Sequence, residues 1–163
     1  MRIFTPMALI ALVIATTASV AATGRLTLPL LLSGIACWSF VPVLHLLTGL
    51  LLLRGSVVER VPAIERYFAT HRYWSLWLLT ASATVLLLPD PGGALAHVLA
   101  TALVPAILTA RALTRFATEV LGHTPSRARR RVGLHQAVTL LLLVIYVDLS
   151  VALWPRIVGT LAR

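Results

Sequence analysis

Charged residues are scarce in this chain, and lysine is absent altogether. Only 12% of the 163 residues are charged, whereas 59% are hydrophobic, and the mean hydropathy is +0.93. A water-soluble domain of this size could hardly bury so much apolar surface, because a small fold leaves a large share of its surface in water. The composition therefore excludes a soluble globular protein and favours a chain that folds in a lipid bilayer.

Cysteine and acidic residues are also few. Cys37 is the single cysteine, which excludes an intrachain disulfide and a multi-cysteine metal site. Five acids stand against 14 arginines, so the formal net charge is +9. Nucleic acid is not the expected partner, because the arginines lie at the ends of apolar runs and not in a basic groove interleaved with exposed aromatic residues.

Five apolar stretches are long enough, or nearly so, to cross a hydrocarbon core of ~30 Å as helices. They cover residues 3–22, 28–53, 73–88, 94–121 and 132–154. The sequence therefore predicts an all-α integral membrane bundle, a single transmembrane domain of five helices. Four helices remain if the first stretch is a cleaved signal peptide, an alternative that the small residues before Thr23 leave open.

The arginines predict the orientation of these spans. Eleven arginines fall on one side of an alternating five-span arrangement, and Arg25, Arg156 and Arg163 fall on the other. Cytoplasmic connections carry the excess of basic residues in membrane proteins. We therefore expect an inner membrane protein, in the bacterial cytoplasmic membrane, with its N-terminus inside and its C-terminus outside.

Two features of the cytoplasmic side predict contact with lipid. The segment 55–72 carries Val57, Val61, Ile64 and Phe68 at helical spacing, which predicts an amphipathic helix lying in the membrane interface. A cluster of arginines precedes the last span, where anionic lipid headgroups would compensate its charge. This cluster consists of Arg127, Arg129, Arg130 and Arg131.

Ionisable residues inside the spans are the strongest pointers to function in such a protein, because each is costly in hydrocarbon unless it has a partner. At about 1.5 Å per residue from the inner arginines, His97 lies ~21 Å deep and Asp148 ~25 Å deep. These similar depths predict a hydrogen-bonded pair. His45 lies ~13 Å deep and is expected to stand alone.

No cofactor, metal or catalytic residue is expected from the motifs. A bis-histidine haem needs two imidazoles at nearly one depth, whereas His45, His97 and His135 are scattered in depth. No HExxH spacing suggests zinc, and no serine stands in the glycine pattern of a nucleophile elbow that would suggest a hydrolytic nucleophile.

The connection between the last two spans has the form small-x-Thr-Pro-basic, written here as Gly122-His123-Thr124-Pro125-Ser126-Arg127-Ala128. With its two flanking helices, roughly residues 94–154, it resembles bacterial Yip1-type polytopic membrane proteins. The chain departs from that family at its front, where a longer cytoplasmic segment is usual. The resemblance implies an interaction or trafficking type of membrane protein and carries over no catalytic residues.

Three functions are compatible with these features. The first is a non-enzymatic membrane protein that acts through helix packing and contacts with lipids or proteins, as a subunit or assembly factor. The second is a small proton-linked transporter or channel that uses His97 and Asp148. The third is a membrane-embedded enzyme that modifies lipids. Membrane lipids are expected partners in each case, together with a protein partner or a second copy of the chain.

Overall fold

The structure, a computed structural model, describes residues 4–23, 26–56, 58–87 and 100–161. These residues form six α-helices: α1 (Phe4–Thr23), α2 (Leu28–Leu53), α3 (Arg60–Ala69), α4 (Arg72–Leu87), α5 (Leu103–Glu119) and α6 (Pro125–Leu161). No strand occurs in these ranges. The prediction of an all-α protein is confirmed.

Two glycines determine where helices end. Gly55 follows the end of α2 with φ of 79°, and Gly122 follows the end of α5 with φ of 67°. This left-handed backbone conformation is open to glycine at little cost and commonly closes a helix. Pro125 then begins α6 at a position where its missing N–H costs no helical hydrogen bond.

Five of the helices form a closed ring. Going round the ring, α1 packs against α2, α2 against α6, α6 against α5, α5 against α4, and α4 against α1. The short helix α3 contacts α2 and α5 and covers one end of the ring. The ends of α2 and α5 and the start of α6 meet at this covered end.

The largest hydrophobic core lies at the end of the ring that α3 covers. It is built from the last residues of α2, the inner face of α3, the second half of α5 and the first turns of α6. Its larger members are Leu52, Tyr67, Leu113, Phe116 and Val132. Because four helices contribute to it, this core fixes α3 against the bundle.

Glycines allow two close contacts on α2. A Cβ atom added at Gly34 would lie 2.8 Å from the Cα of Ala15 on α1. A Cβ atom added at Gly49 would lie 2.6 Å from Cε1 of the Tyr67 ring. Both distances are too short for any side chain, so glycine is what permits α1 and Tyr67 to approach α2.

Within the segment 55–72 the structure has a shorter helix, and the contact of its apolar stripe with a membrane interface stays a prediction. The helix runs only over Arg60–Ala69, and its buried residues are Ala63 and Tyr67. Val61 is 71% exposed, while Ile64 and Phe68 lie half-buried at the edge of the core. Val57 lies outside the described residues. The small Ala63 and the ring of Tyr67 face inward because α3 packs against α2 and α5 at the end of the bundle.

By length and composition, one segment of the described helices, Gly34–Leu53, is long and apolar enough to cross a membrane. Helices α4 and α5 have 16 and 17 residues, fewer than the ~20 that a bilayer core requires. Helix α6 has 37 residues and includes both an arginine-rich start and an apolar middle. The helical architecture is therefore established, and the five-span arrangement stays a prediction.

Candidate functional site

Four polar aromatic side chains and one threonine, from four parts of the chain, meet at the end of the ring that α3 covers. Helix α2 contributes His45 and Thr48, α3 contributes Tyr67, the turn between α3 and α4 contributes His71, and α6 contributes His135. We call these five residues the His–Tyr cluster. Tyr67 is 1% exposed and His135 is 3% exposed, so the cluster belongs to the interior of the protein.

Tyr67 is the centre of the His–Tyr cluster. Its hydroxyl oxygen lies 2.8 Å from Nε2 of His135 and 3.4 Å from Oγ1 of Thr48. Thr48 donates its own proton to the backbone carbonyl of Leu44 at 2.9 Å. The threonine oxygen is therefore left as an acceptor, and the three side chains form a short hydrogen-bonded chain from α2 through α3 to α6.

Two proton arrangements are open to the contact between Tyr67 and His135, and only the second leaves a proton for the contact between Tyr67 and Thr48. In one, the Tyr67 hydroxyl donates to Nε2 of His135, whose own proton then sits on Nδ1. In the other, Nε2–H of His135 donates to the Tyr67 oxygen, and the Tyr67 hydroxyl donates to Thr48. Nδ1 of His135 is buried without a hydrogen-bond partner, so one buried polar atom is left unsatisfied in both arrangements.

His71 lies between the other rings. Its centroid is 4.3 Å from that of His45 in an edge-to-face contact, 4.8 Å from that of Tyr67 and 6.2 Å from that of His135. Nδ1–H of His71 is directed at the Tyr67 carbonyl oxygen at 3.2 Å and at Oγ1 of Thr70 at 3.1 Å. His45, expected to stand alone, thus has another imidazole against its ring.

Hydrogen bonds also fix the ring of His45. Its Nδ1 donates to the backbone carbonyl of Val41 at 2.8 Å. Since Nδ1 of His71 is likewise a donor to oxygen, the neutral forms of both rings keep Nε2 as the basic nitrogen. Each imidazole is therefore held in one orientation by the turn of helix that precedes it.

The electrostatics of the cluster favour uncharged rings. Burial lowers the pKa of His71 well below its usual value of 6.5, and the neighbouring His45 and His135 lower it further, because a second positive charge nearby would be repelled. Burial also raises the pKa of the Tyr67 hydroxyl, against a smaller opposite effect of its contact with Thr48. His71 and Tyr67 are thus both neutral near pH 7.

Three nearby imidazoles suggest a metal ion, but the geometry does not support one. Within the described ranges, no group of three or more His, Cys, Asp or Glu side chains is arranged to hold a metal ion. The contacts present are ring packing and hydrogen bonds. What this arrangement can do chemically is shift or accept a proton.

The predicted pair of His97 and Asp148 is not brought together by any described contact. His97 lies in the segment 88–99, outside the described residues, and Asp148 is an exposed residue of α6. The pairing stays a prediction.

Arg131 makes contacts within the protein, although it belongs to the cluster expected to contact anionic lipid. Its Nη1 donates to the backbone carbonyls of Arg54 at 2.8 Å and Leu52 at 3.3 Å, and to Nε2 of His123 at 3.0 Å. Helix α6 thereby satisfies carbonyl groups left open where α2 ends. The other three arginines of that cluster, Arg127, Arg129 and Arg130, are exposed.

Sequence reasoning missed the partners of His45. Tyr67 and His71 lie in the segment 55–72, which the sequence predicts to be interfacial. The sequence places His135 ~6 Å from the inner boundary and His45 ~13 Å from it, so the two were not expected to meet. One signal was present in the sequence: Tyr67 and His71 are four residues apart, which is the spacing of neighbours on one face of a helix.

Comparison of the chain with protein-family models, with curated proteins and with solved structures found no significant match.

Proposed function

We propose that the chain is a multi-pass integral membrane protein that acts without catalysis, as a subunit or assembly factor, through helix packing and contacts with lipid or a protein partner. In this proposal it has five spans, an internal N-terminus and an external C-terminus. The resemblance to Yip1-type proteins belongs to the same proposal. One observation carries it: many large apolar side chains are exposed on the outside of the folded bundle.

Large apolar side chains cover the outside of the bundle, while hydroxyl and imidazole groups lie inside it. Leu47, Leu50 and Leu51 on α2 and Leu141 and Val144 on α6 are all exposed. By contrast Thr48, Thr109, His71 and His135 are buried. Each exposed Å² of apolar surface would cost ~25 cal/mol in water, whereas lipid tails accept it without cost. This distribution supports a bilayer as the surrounding solvent.

The placement of arginine supports the proposed orientation. Arg54 follows the end of α2, Arg60 begins α3, Arg115 lies in the last turns of α5, and Arg131 lies near the start of α6. All four positions are at the end of the ring that α3 covers. A bundle with its basic residues at one end has the asymmetry of a protein inserted by the positive-inside rule.

The His–Tyr cluster favours a structural role over proton carriage at neutral pH. A group that carries protons works best when its pKa is near the working pH, whereas the pKa of His71 is well below 6.5. The cluster instead joins α2, α3 and α6 by hydrogen bonds and ring contacts. A bundle that is held rigid in this way at the end covered by α3 suits a protein that presents a fixed surface to partners.

Reporter fusions test the membrane arrangement. A fusion after Arg131 should report a cytoplasmic position and one after Arg163 an external position, because the arginine distribution requires it. The function is tested by purification in a gentle detergent followed by mass spectrometry. A stoichiometric protein partner supports the subunit proposal, and its absence from a stable, monodisperse preparation contradicts it.

A second candidate function is proton-linked transport, and the unsatisfied Nδ1 of His135 favours it. The chain of Thr48, Tyr67 and His135 has two proton arrangements, and Nδ1 adds a further site for a proton. In proteoliposomes with a pH-sensitive dye inside, this function predicts proton flux that Tyr67→Phe abolishes at normal protein yield. Equal flux in empty and protein-containing vesicles contradicts it.

A further inference from the structure

A cavity with four arginines in its lining opens between the corner of α3 and α4 and the side of α5. Its volume is about 420 Å³, within the range of ligand-binding sites. Four arginines line it, against one glutamate, Glu119. They are Arg66, Arg72, Arg111 and Arg115. We call this cavity the basic pocket.

The periodicity of α5 gives the basic pocket two kinds of wall. Arg111, Arg115 and Glu119 follow one another at intervals of four residues and form a polar row. Leu108, Ala112, Phe116 and Val120 have the same spacing and form an apolar row beside it. A ligand in this cavity would therefore meet charge on one side and hydrocarbon on the other.

The opposite wall supplies further donors. Arg66 comes from α3, while Thr70, Arg72 and Tyr73 come from the corner between α3 and α4. Arg72 donates to the Tyr73 hydroxyl at 3.1 Å and lies 5.0 Å from the centre of its ring. Guanidinium groups from two sides of one cavity are suited to bidentate contacts with the oxygens of a phosphate group.

The arginines of the basic pocket are not neutralised by the protein. Within the part of the chain that the structure describes, none of the four lies within ion-pair distance of a carboxylate. A concentration of unpaired positive charge is unfavourable unless an anion compensates it. The most direct source of that anion is a ligand.

We propose that the basic pocket binds a phosphate group, carried by the headgroup of an anionic phospholipid of the inner leaflet. This inference rests on the proposed membrane arrangement, in which the four arginines lie at the cytoplasmic headgroup level. The apolar row of α5 would then contact the first carbons of the acyl chains. A soluble phosphate compound has the same phosphate group but no acyl chain to contact the apolar row of α5.

The pocket also adjoins the His–Tyr cluster. Thr70 lines the pocket and contacts Nδ1 of His71, and Phe116 lines it while its ring lies 6.3 Å from that of Tyr67. A headgroup bound here would contact α3 and α5, and both helices contribute to the hydrophobic core at the end of the ring that α3 covers. Binding should therefore stabilise the whole protein, in proportion to occupancy.

The test measures binding of fluorescently labelled phosphatidylglycerol to the purified full-length protein in detergent micelles, by anisotropy. The variant Arg111→Gln/Arg115→Gln removes two charges from the pocket. The matched control Arg54→Gln/Arg60→Gln removes two charges from exposed positions outside both the pocket and the arginine cluster that precedes the last span. We expect the pocket variant to bind at least about tenfold more weakly, since charge-assisted hydrogen bonds are lost, and the control to stay within about twofold. Arg111→Lys/Arg115→Lys should bind with intermediate affinity, because it keeps the charges and loses the bidentate geometry.

Competition identifies the source of the phosphate. Displacement by unlabelled phosphatidylglycerol, but by neither phosphatidylcholine nor inorganic phosphate, supports the lipid. Displacement by inorganic phosphate as effective as that by the lipid overturns the lipid assignment. Equal weakening in the pocket variant and the control, or none in either, overturns the pocket as a site. The reporter fusions after Arg131 and Arg163 distinguish these failures from a failure of the membrane arrangement, because they depend on topology and not on lipid binding.

Discussion

Tyr67 and Gly49 pack against each other in the hydrophobic core at the end of the ring that α3 covers. The ring of Tyr67 occupies the space that a side chain at position 49 would need. This places the hydroxyl within reach of both Thr48 and His135. The phenol of Tyr67 thereby links α2, α3 and α6, and the packing of these three helices depends on it.

Tyr67→Phe should lower the stability of the protein. The substitution keeps the ring and removes the hydroxyl, so Nε2 of His135 loses its partner in a buried site. We expect a loss of ~1–2 kcal/mol in the free energy of unfolding, the typical cost of leaving one buried polar atom unsatisfied. Thermal unfolding in detergent measures it. Tyr73→Phe is the control, because the Tyr73 hydroxyl contacts the exposed side chain of Arg72. Equal melting temperatures of Tyr67→Phe and the parent would contradict the proposed link.

The pKa of His71 predicts how stability depends on pH. Its pKa in the folded protein lies below the unfolded value of 6.5, so between the two values the unfolded state binds more protons. Stability is then fully present above about pH 6.5 and falls as the pH falls below it. Burial, followed by the charges of Arg131 and Arg127, also lowers the pKa of His123, which acts in the same direction.

Melting temperatures measured between about pH 8 and about pH 5 test this dependence. The parent should lose stability towards the acid end, and His71→Gln should lose less, because it removes one of the groups that protonate on unfolding. The groups packed around His71 are His45, Tyr67, Thr70 and His135. A parent melting temperature that stays constant over this range would refute the prediction.

At the scale of elements, the sequence determines where helices stop better than which way they face. The 28–53 stretch coincides with α2 because Gly55 ends it and Pro29 lies at its start. For α3 two stripes compete, one through Ile64 and Phe68 and the other through Ala63 and Tyr67. They differ by one residue, about 100° around the helix.

Hydropathy alone selects the more apolar stripe of α3 as the buried one. In lipid that rule weakens, since apolar side chains are stable outside and small or polar ones pack inside. The structure buries Ala63 and Tyr67 against the neighbouring helices. The His–Tyr cluster could not be predicted from one sequence, because it depends on the face that α3 presents to α2 and α6.

Gly49→Ala tests the contact between α2 and α3. The added methyl group would lie 2.6 Å from a buried ring atom, so Tyr67 must shift. We expect a loss of ~1–3 kcal/mol, the usual cost of overpacking. Gly133→Ala is the matched control on α6, where a Cβ atom meets nothing within 4 Å. There the substitution should stabilise the helix by ~0.5–1 kcal/mol. Chemical or thermal unfolding of both variants gives the comparison, and a neutral Gly49→Ala would mean that the ring has room to move.

At the scale of the whole molecule, exposed leucines at different positions along α6 allow the proposed membrane arrangement to be tested. Leu134 and Leu141 are both exposed on α6. Leu134 lies three residues beyond Arg131, whereas Leu141 lies about 15 Å beyond it. In the proposed membrane, the first is close to the inner boundary and the second is deep in hydrocarbon.

Arginine substituted at these two positions should therefore have unequal effects. Leu141→Arg should reduce the amount of inserted, folded protein, because arginine at mid-depth costs ~2.5–3.5 kcal/mol on the insertion scale. Leu134→Arg should be tolerated, since its side chain can reach the headgroups. Membrane fractionation and folded yield measure both. If the two variants accumulate equally, these leucines do not face lipid at different depths.

The hydrogen bond between Tyr67 and His135 spans 68 residues of chain, and this separation orders events during synthesis. When α3 leaves the ribosome, His135 and Arg131 have not yet been made. The Tyr67 hydroxyl then lacks one of its two partners, and the carbonyl groups of Leu52 and Arg54 lack the guanidinium of Arg131 as a donor. Helix α6 is made after the other described helices, so its contacts at the end of the ring that α3 covers form last. A chain arrested before α6 would present these polar groups at the end of the ring that α3 covers, a signal by which proteases can separate unfinished copies from finished ones.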